Sequence, residues 1–267
     1  MPTPIVVLSQ SPSAARQALA YATRLAHALA VPVRWLRTAP APAMAPATAV
    51  APAAGPATRR REPPVAAGAA GAAAAGDVPA IAAALARQDA LLVVMLRPAN
   101  APAGGWLPLA VWALLQSVRP PLLLVPGGVA AQGLPLRIAL VADGDPFTLA
   151  HGQRAMHALL LTLPVHVTVL HAPGPRSTSS LADALPTLLA CGLAARYLTT
   201  ATTFGVRAHS GEADILAGAR HLRANLLVLI VRPSSLADAG FGTSPTAALL
   251  AQSPVPVLLL LAADPAA

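Results

Sequence analysis

The chain repeats itself at a fixed distance. Gly76, Leu91, Arg97 and Pro121 recur as Gly211, Leu226, Arg232 and Pro256, each 135 positions on. Around them, Gly76-Asp77-Val78-Pro79-Ala80-Ile81 answers Gly211-Glu212-Ala213-Asp214-Ile215, and Leu91-Leu92-Val93-Val94 answers Leu226-Leu227-Val228-Leu229. The same offset carries Gly105 onto Gly240, Trp106 onto Phe241, Leu114-Leu115 onto Leu249-Leu250, and Pro121-Leu122-Leu123-Leu124 onto Pro256-Val257-Leu258-Leu259. An ungapped match over about fifty positions exceeds what shared Ala-richness produces, so duplication is the first constraint on the fold.

The first parts of the two copies agree with small shifts. Ile5-Val6-Val7-Leu8 matches Ile138-Ala139-Leu140-Val141, and each run is followed by a capping residue and a proline, Ser11-Pro12 and Asp145-Pro146. These pairs predict helix starts. Ala15, Leu19, Ala22, Ala26 and Leu29 then recur at helical spacing, as do Leu149, Met156, Leu160 and Leu163. Pro32 to Leu36 and Pro164 to Leu170 read as second strands. Each copy thus reads strand, helix, strand, variable middle, helix, buried strand, loop with helix, final strand. That alternation implies right-handed crossovers and a parallel sheet. The expectation is an α/β protein of two tandem, open, parallel-sheet, Rossmann-like domains with helices on both faces, over residues 1–127 and 134–264. In the first copy the variable middle, 38–76, is almost wholly Ala, Pro and Gly around Arg59-Arg60-Arg61-Glu62. Such a segment buries too little surface to offset its ordering entropy, which predicts disorder or a loosely packed loop. Its charge run reads as a solvated cluster before it reads as a docking patch. In the second copy, Ser179 to Ala195 has helical patterning and Ala195 to Val206 holds a strand or ragged edge.

Composition narrows the function classes. Aromatic residues are only 3 % of the chain, and its 18 basic residues, all Arg, give a formal net charge of +8. Outside Arg59–Arg61 they are scattered singly without interleaved Phe or Tyr, which argues against a nucleic-acid surface. The mean hydropathy of +0.61 raises the question of membrane spans. The most apolar runs, such as Leu91–Leu96 and Val255–Leu261, fall far short of the ~20 residues a span needs. One cysteine, Cys191, excludes an internal disulfide and a Cys-based zinc site, and the seven histidines form no ligand cluster. The start of the chain lacks a signal-peptide pattern, and the expected location is the cytoplasm. Walker A, G-x-G-x-x-G and G-x-S-x-G motifs are absent, so neither those nucleotide loops nor a hydrolase elbow anchors an enzymatic reading.

The order of elements, the Gly-acidic segment before a helix, and the closing Phe241-Gly242-Thr243-Ser244 with Ser253-Pro254-Val255-Pro256-Val257-Leu258-Leu259-Leu260 resemble the universal stress protein family. The resemblance covers nearly the whole chain as a tandem pair, the insert apart. It implies an ATP site made by an Asp after the first strand and a Gly-x-x-Gly … Gly-Ser/Thr loop after the fourth. Carried onto this chain, the second copy keeps Asp143 and the Gly242, Thr243 and Ser244 turn. It has Val231-Arg232-Pro233-Ser234-Ser235-Leu236 where the first glycines belong, and Pro233 removes a backbone donor there. The first copy has Ser9 or Gln10 opposite Asp143 and Leu107-Pro108-Leu109 opposite the closing turn.

Each candidate has a plain structural reading. Asp143 suits a solvated turn, Thr243 or Ser244 suits a helix cap before Pro245, and Arg97 and Arg232, equivalent under the offset, suit strand ends. As a ligand set, Arg232 would grip an anion in place of the lost glycines, beside Asp143, Gly242, Thr243 and Ser244. Trp35, Trp106 and Trp112 read as core or interface residues. The leading expectation is a tandem universal stress protein without catalysis, a stress-response binding or regulatory module with a largely degenerate nucleotide site. Its copies would form a pseudo-dimer within the chain, often through the final strands. A protein partner and a homodimer are expected, and neither nucleic acid, membrane nor metal is. The alternatives are ATP binding with weak hydrolysis in the second copy, and a ligand-free dimerisation scaffold.

Overall fold

The computed structural model describes residues 3–9, 12–37, 78–97, 106–128, 133–149, 153–173, 179–190, 202–205, 211–232 and 245–263. The insert 38–76 and the Gly242-Thr243-Ser244 turn therefore lie outside the described residues. The strands are β1 (Ile5–Ser9), β2 (Val33–Arg37), β3 (Leu92–Arg97), β4 (Leu122–Pro126), β5 (Arg137–Ala142), β6 (Thr148–Leu149), β7 (His166–His171), β8 (Thr202–Gly205), β9 (Leu226–Val231) and β10 (Val257–Ala263). The helices are α1 (Pro12–Leu29), α2 (Val78–Ala86), α3 (Trp106–Ser117), α4 (Gln153–Thr162), α5 (Leu181–Ala190), α6 (Glu212–His221) and α7 (Pro245–Gln252).

Apolar strands such as β1, β4 and β9 cannot leave either face in water, and they stack side by side into one sheet. Its order is β2-β1-β3-β4-β10-β9-β5-β7-β8, with β6 paired to the end of β10. Up to β7 the order is a palindrome, β2-β1-β3-β4 facing β10-β9-β5-β7. Pairing is parallel within each half and antiparallel where β4 meets β10. At that seam Leu123 opposes Leu258, its counterpart in the repeat, while Leu122 opposes Leu259 and Leu124 opposes Val257. Such reciprocal pairing is what a two-fold axis through the seam produces.

Helices cover both faces. On one, Ala18, Tyr21, Ala22 and Leu25 of α1, Met156, Leu159 and Leu160 of α4, and Ala184 and Leu188 of α5 pack on Ile5, Val7, Leu92, Val94, Ile138, Leu140, Leu226 and Val228. On the other, residues of α2, α3, α6 and α7 pack on Val6, Val93, Ala139, Leu227 and Leu259. Each core runs across the seam, and α1 touches α4 as α3 touches α7.

The structure corrects the repeat in two places. Ile5 pairs with Leu92 and Ile138 with Leu226, so measured from the first strands Leu226 answers Leu92, an offset of 134, where the sequence match aligned it with Leu91. The faces agree: Leu92 and Leu226 enter one core, Val93 and Leu227 the other. By β4 and β10 the offset is 135 again, with Leu123 and Leu258 in the same core. A one-residue slip moves a side chain to the opposite face, so Arg97 corresponds to Val231 and not to Arg232. Secondly, Asp145-Pro146 does not start a helix. Residues 143–147 form a turn with Gly144 at φ +86°, Leu149 lies in β6, and α4 begins at Gln153. The patterning of the remaining segments is closer to the observed elements: α1 begins at Pro12, α5 lies inside 179–195 and β8 inside 195–206.

Candidate functional site

In the second half the crossovers leave β5 in opposite directions, towards β7 and towards β9, which opens a crevice at the carboxyl ends of β5 and β9. Asp143 follows β5 and Arg232 follows β9, so the fold brings these two residues together. Arg232 Nε donates to one carboxylate oxygen of Asp143 (2.9 Å) and an Nη of the same guanidinium to the other (3.0 Å). The planar fork of arginine matches a carboxylate in this two-point fashion. The guanidinium also donates to the carbonyls of Asp145 (2.6 Å) and Pro146 (2.8 Å), and it lies 5.5 Å from the ring centroid of Phe147. The side chains retain 16 % and 34 % of their exposure, so the pair is sheltered without being dry.

The turn is held from other elements as well. Ser179 Oγ donates to the Asp143 carbonyl and Thr187 Oγ1, in α5, to that of Gly144 (3.1 Å). Four successive carbonyls, 143 to 146, thus each accept a bond from a side chain. Carbonyls committed in this way do not enter a helix ladder, which is why the proline signal at Pro146 fails to start one. Asp145 N–H closes on Asp143 Oδ1 (3.1 Å), an Asx turn. His171, buried at the end of β7, sits 3.3 Å from Ser179 Oγ. Beyond the turn, Ser180 and Asp183 cap α5: the Asp183 carboxylate accepts from the Ser180 hydroxyl and N–H, both at 2.7 Å, and these bonds pull its pKa below the usual carboxylate value.

Beside the turn lies a cleft of about 130 Å³, lined by Val141, Asp143, Ala172, Ile215, Leu229, Ile230, Thr246 and Leu249. It is smaller than the ~300–1,000 Å³ of pockets that enclose drug-sized ligands. A larger hollow of about 410 Å³, between Leu85 and Pro120, lies at the amino ends of β3 and β4, away from the end where such sheets take ligands. Thr246 is in α7, which starts at Pro245; Gly242, Thr243 and Ser244 precede it in sequence and lie outside the described residues.

Arg97 does something different. It reaches across the seam and donates to the carbonyls of Leu250 (3.0 Å), Ala251 and Ser253 (2.7 Å) at the end of α7. A cation there satisfies carbonyls that lack helical partners and meets the negative end of the helix dipole. Burial pushes the Arg97 pKa below its ordinary value. The sequence match aligned Arg97 with Arg232 as equivalent strand-end residues. The structure separates them, because the one-residue slip sends them to opposite faces. Missed altogether from sequence were Ser179 and Thr187, since single hydroxyls in a polar loop and a helix carry no pattern.

No group of His, Cys, Asp and Glu among the described residues could hold a metal ion, and no described helix is long and apolar enough to cross a membrane. No protein-family model and no curated protein matches the chain. Among solved structures it is similar to a functionally unknown protein from Pseudomonas aeruginosa PAO1 (14 % identity, TM-score 0.38, over 97 % of this chain and 82 % of that one). It is also similar to a universal stress protein in complex with cAMP (20 % identity, TM-score 0.36, over 49 % and 100 %). A third similarity is to a universal stress protein from Archaeoglobus fulgidus DSM 4304 (15 % identity, TM-score 0.49, over 70 % of this chain and 66 % of that one).

Proposed function

We propose that the chain is a tandem universal stress protein without catalysis, a stress-response binding or regulatory module whose nucleotide site has been converted into a structural joint. The observation that carries this reading is the engagement of Asp143 by Arg232. In the family pattern an Asp after the first strand is a ligand anchor. Here both of its carboxylate oxygens accept from a guanidinium that also holds two neighbouring carbonyls. A nucleotide using Asp143 would have to displace that bonding, and Pro233 stands where a glycine N–H would meet phosphate. The sequence resemblance supports the family, and the palindromic strand order supports duplication. The expected place of action is the cytoplasm.

The test is a melting curve with and without Mg-ATP. The proposal expects no shift beyond a degree at millimolar ATP. A stabilisation of several degrees that Asp143→Ala or Gly242→Val removes would instead establish the ATP-binding reading, since ligand that binds only the folded state raises the melting point. Release of phosphate by the purified chain, lost in the same variants, would establish weak hydrolysis.

A further inference from the structure

β2 is one edge of the sheet, yet its counterpart is not the other edge. Ile5 pairs with Val33 as Ile138 pairs with Val167, so Trp35, Leu36 and Arg37 occupy the positions of Val169, Leu170 and His171. Val169 and Leu170 are fully buried, whereas Trp35 is 48 % exposed and Arg34 and Arg37 are exposed. The second half has one more strand. β8 runs parallel outside β7, with Thr203 beside Val169 and Phe204 beside Leu170, and α5 packs on both strands. Among the described residues no strand occupies the matching place outside β2. Ile5 N–H donates to the carbonyl of Pro32, which turns alternate residues of β2 towards β1. In a parallel pair the N–H and C=O of Val33, Trp35 and Arg37 then face the outer edge.

We propose that this edge takes an extended acidic segment of a partner protein as an added parallel strand. Main-chain bonds would supply affinity and side chains the choice of partner. Charge makes that choice: Arg34 and Arg37 lie on opposite faces of the strand and bracket Trp35, in a chain of net charge +8. A second copy of β2 would bring two more arginines and no carboxylate to the edge. The chain's own insert, 38–76, is rich in proline, which cannot donate to a ladder, and carries Arg59-Arg60-Arg61. The register of β8 sets Thr203 and Phe204 where a partner would meet Trp35 and Leu36, and charge complementarity adds Glu beside Arg34 and Arg37 in place of Thr202 and Gly205.

Hydrogen exchange of the full chain tests this, with a synthetic peptide centred on Glu-Thr-Phe-Glu and its Lys-Thr-Phe-Lys counterpart. Saturating acidic peptide should slow exchange at Trp35 and Arg37 by about tenfold or more, and ~0.5 M salt should weaken the effect. The basic peptide should have no effect on the natural chain but should protect the Arg34→Glu/Arg37→Glu double variant. The salt series on the natural chain stands whether or not that variant folds. Equal protection by both peptides, or by neither, overturns the proposal. So does protection already present in the free chain at high dilution, which means the insert fills the edge. Protection that grows with protein concentration alone means a second copy does.

Discussion

Two arginines at the ends of corresponding strands show how the halves of this molecule have parted. Arg97 ends β3, points to the face of α7 and holds the end of that helix across the seam. Arg232 follows β9 by one residue, points to the other face and grips Asp143 within its own half. In sequence they look like one residue kept twice. A single slip in register gave each a different partner, one joining the halves and one tying the ends of β5 and β9 together. A side chain's role follows the face it reaches, and the face is set by register to the nearest residue.

The largest effect is expected at the seam. Leu123 and Leu258 oppose one another and are 2 % and 0 % exposed. Truncation of either to Ala should cost ~2–5 kcal/mol in urea denaturation, with similar losses for the two. A loss confined to one would show that the seam is not symmetric in energy. Next comes the turn at 143–147. Gly144 has φ +86°, and a Cβ there would collide with Ser179 Oγ. Gly144→Ala should therefore destabilise by ~1–3 kcal/mol, read as a lower melting temperature.

Arg97→Ala should cost ~1–2 kcal/mol, because it strands carbonyls at the end of α7. Arg97→Lys should recover part of the loss, since a lone ammonium cannot span all three carbonyls. The smallest effect is at Asp183, which sharpens the account of how α5 is positioned. Its carboxyl is held below the ordinary value, so its contribution is present above the unfolded pKa and fades as pH falls through the folded one. Melting temperatures measured from pH 6 down to pH 2 should fall less steeply in Asp183→Asn than in the natural chain.

Much of the fold was legible in the sequence, because apolar strands and helical spacing announce themselves locally. The run Leu226 to Val231 had to be a buried strand, and the Leu-rich run after Pro256 had to be another. The two-fold seam follows from the same repeat. What the sequence hid was non-local. The matches of Gly76 with Gly211 and of Arg97-Pro98 with Arg232-Pro233 hold the sequence alignment at 135, and only pairing against β1 and β5 reveals the slip. Asp143 and Arg232 were both visible as ligand candidates. That each would satisfy the other was not, because 89 positions separate them and ion pairing leaves no periodic trace.

The most direct test is a double-mutant cycle between Arg232 and Asp143, with stability read by denaturation of the natural chain, Arg232→Gln, Asp143→Asn and the pair. The account predicts a coupling of ~0.5–3 kcal/mol, and additivity within ~0.5 kcal/mol when Arg97→Gln replaces Arg232→Gln. Additive effects of Arg232→Gln and Asp143→Asn would contradict it, leaving Asp143 uncommitted to Arg232 and open to a ligand.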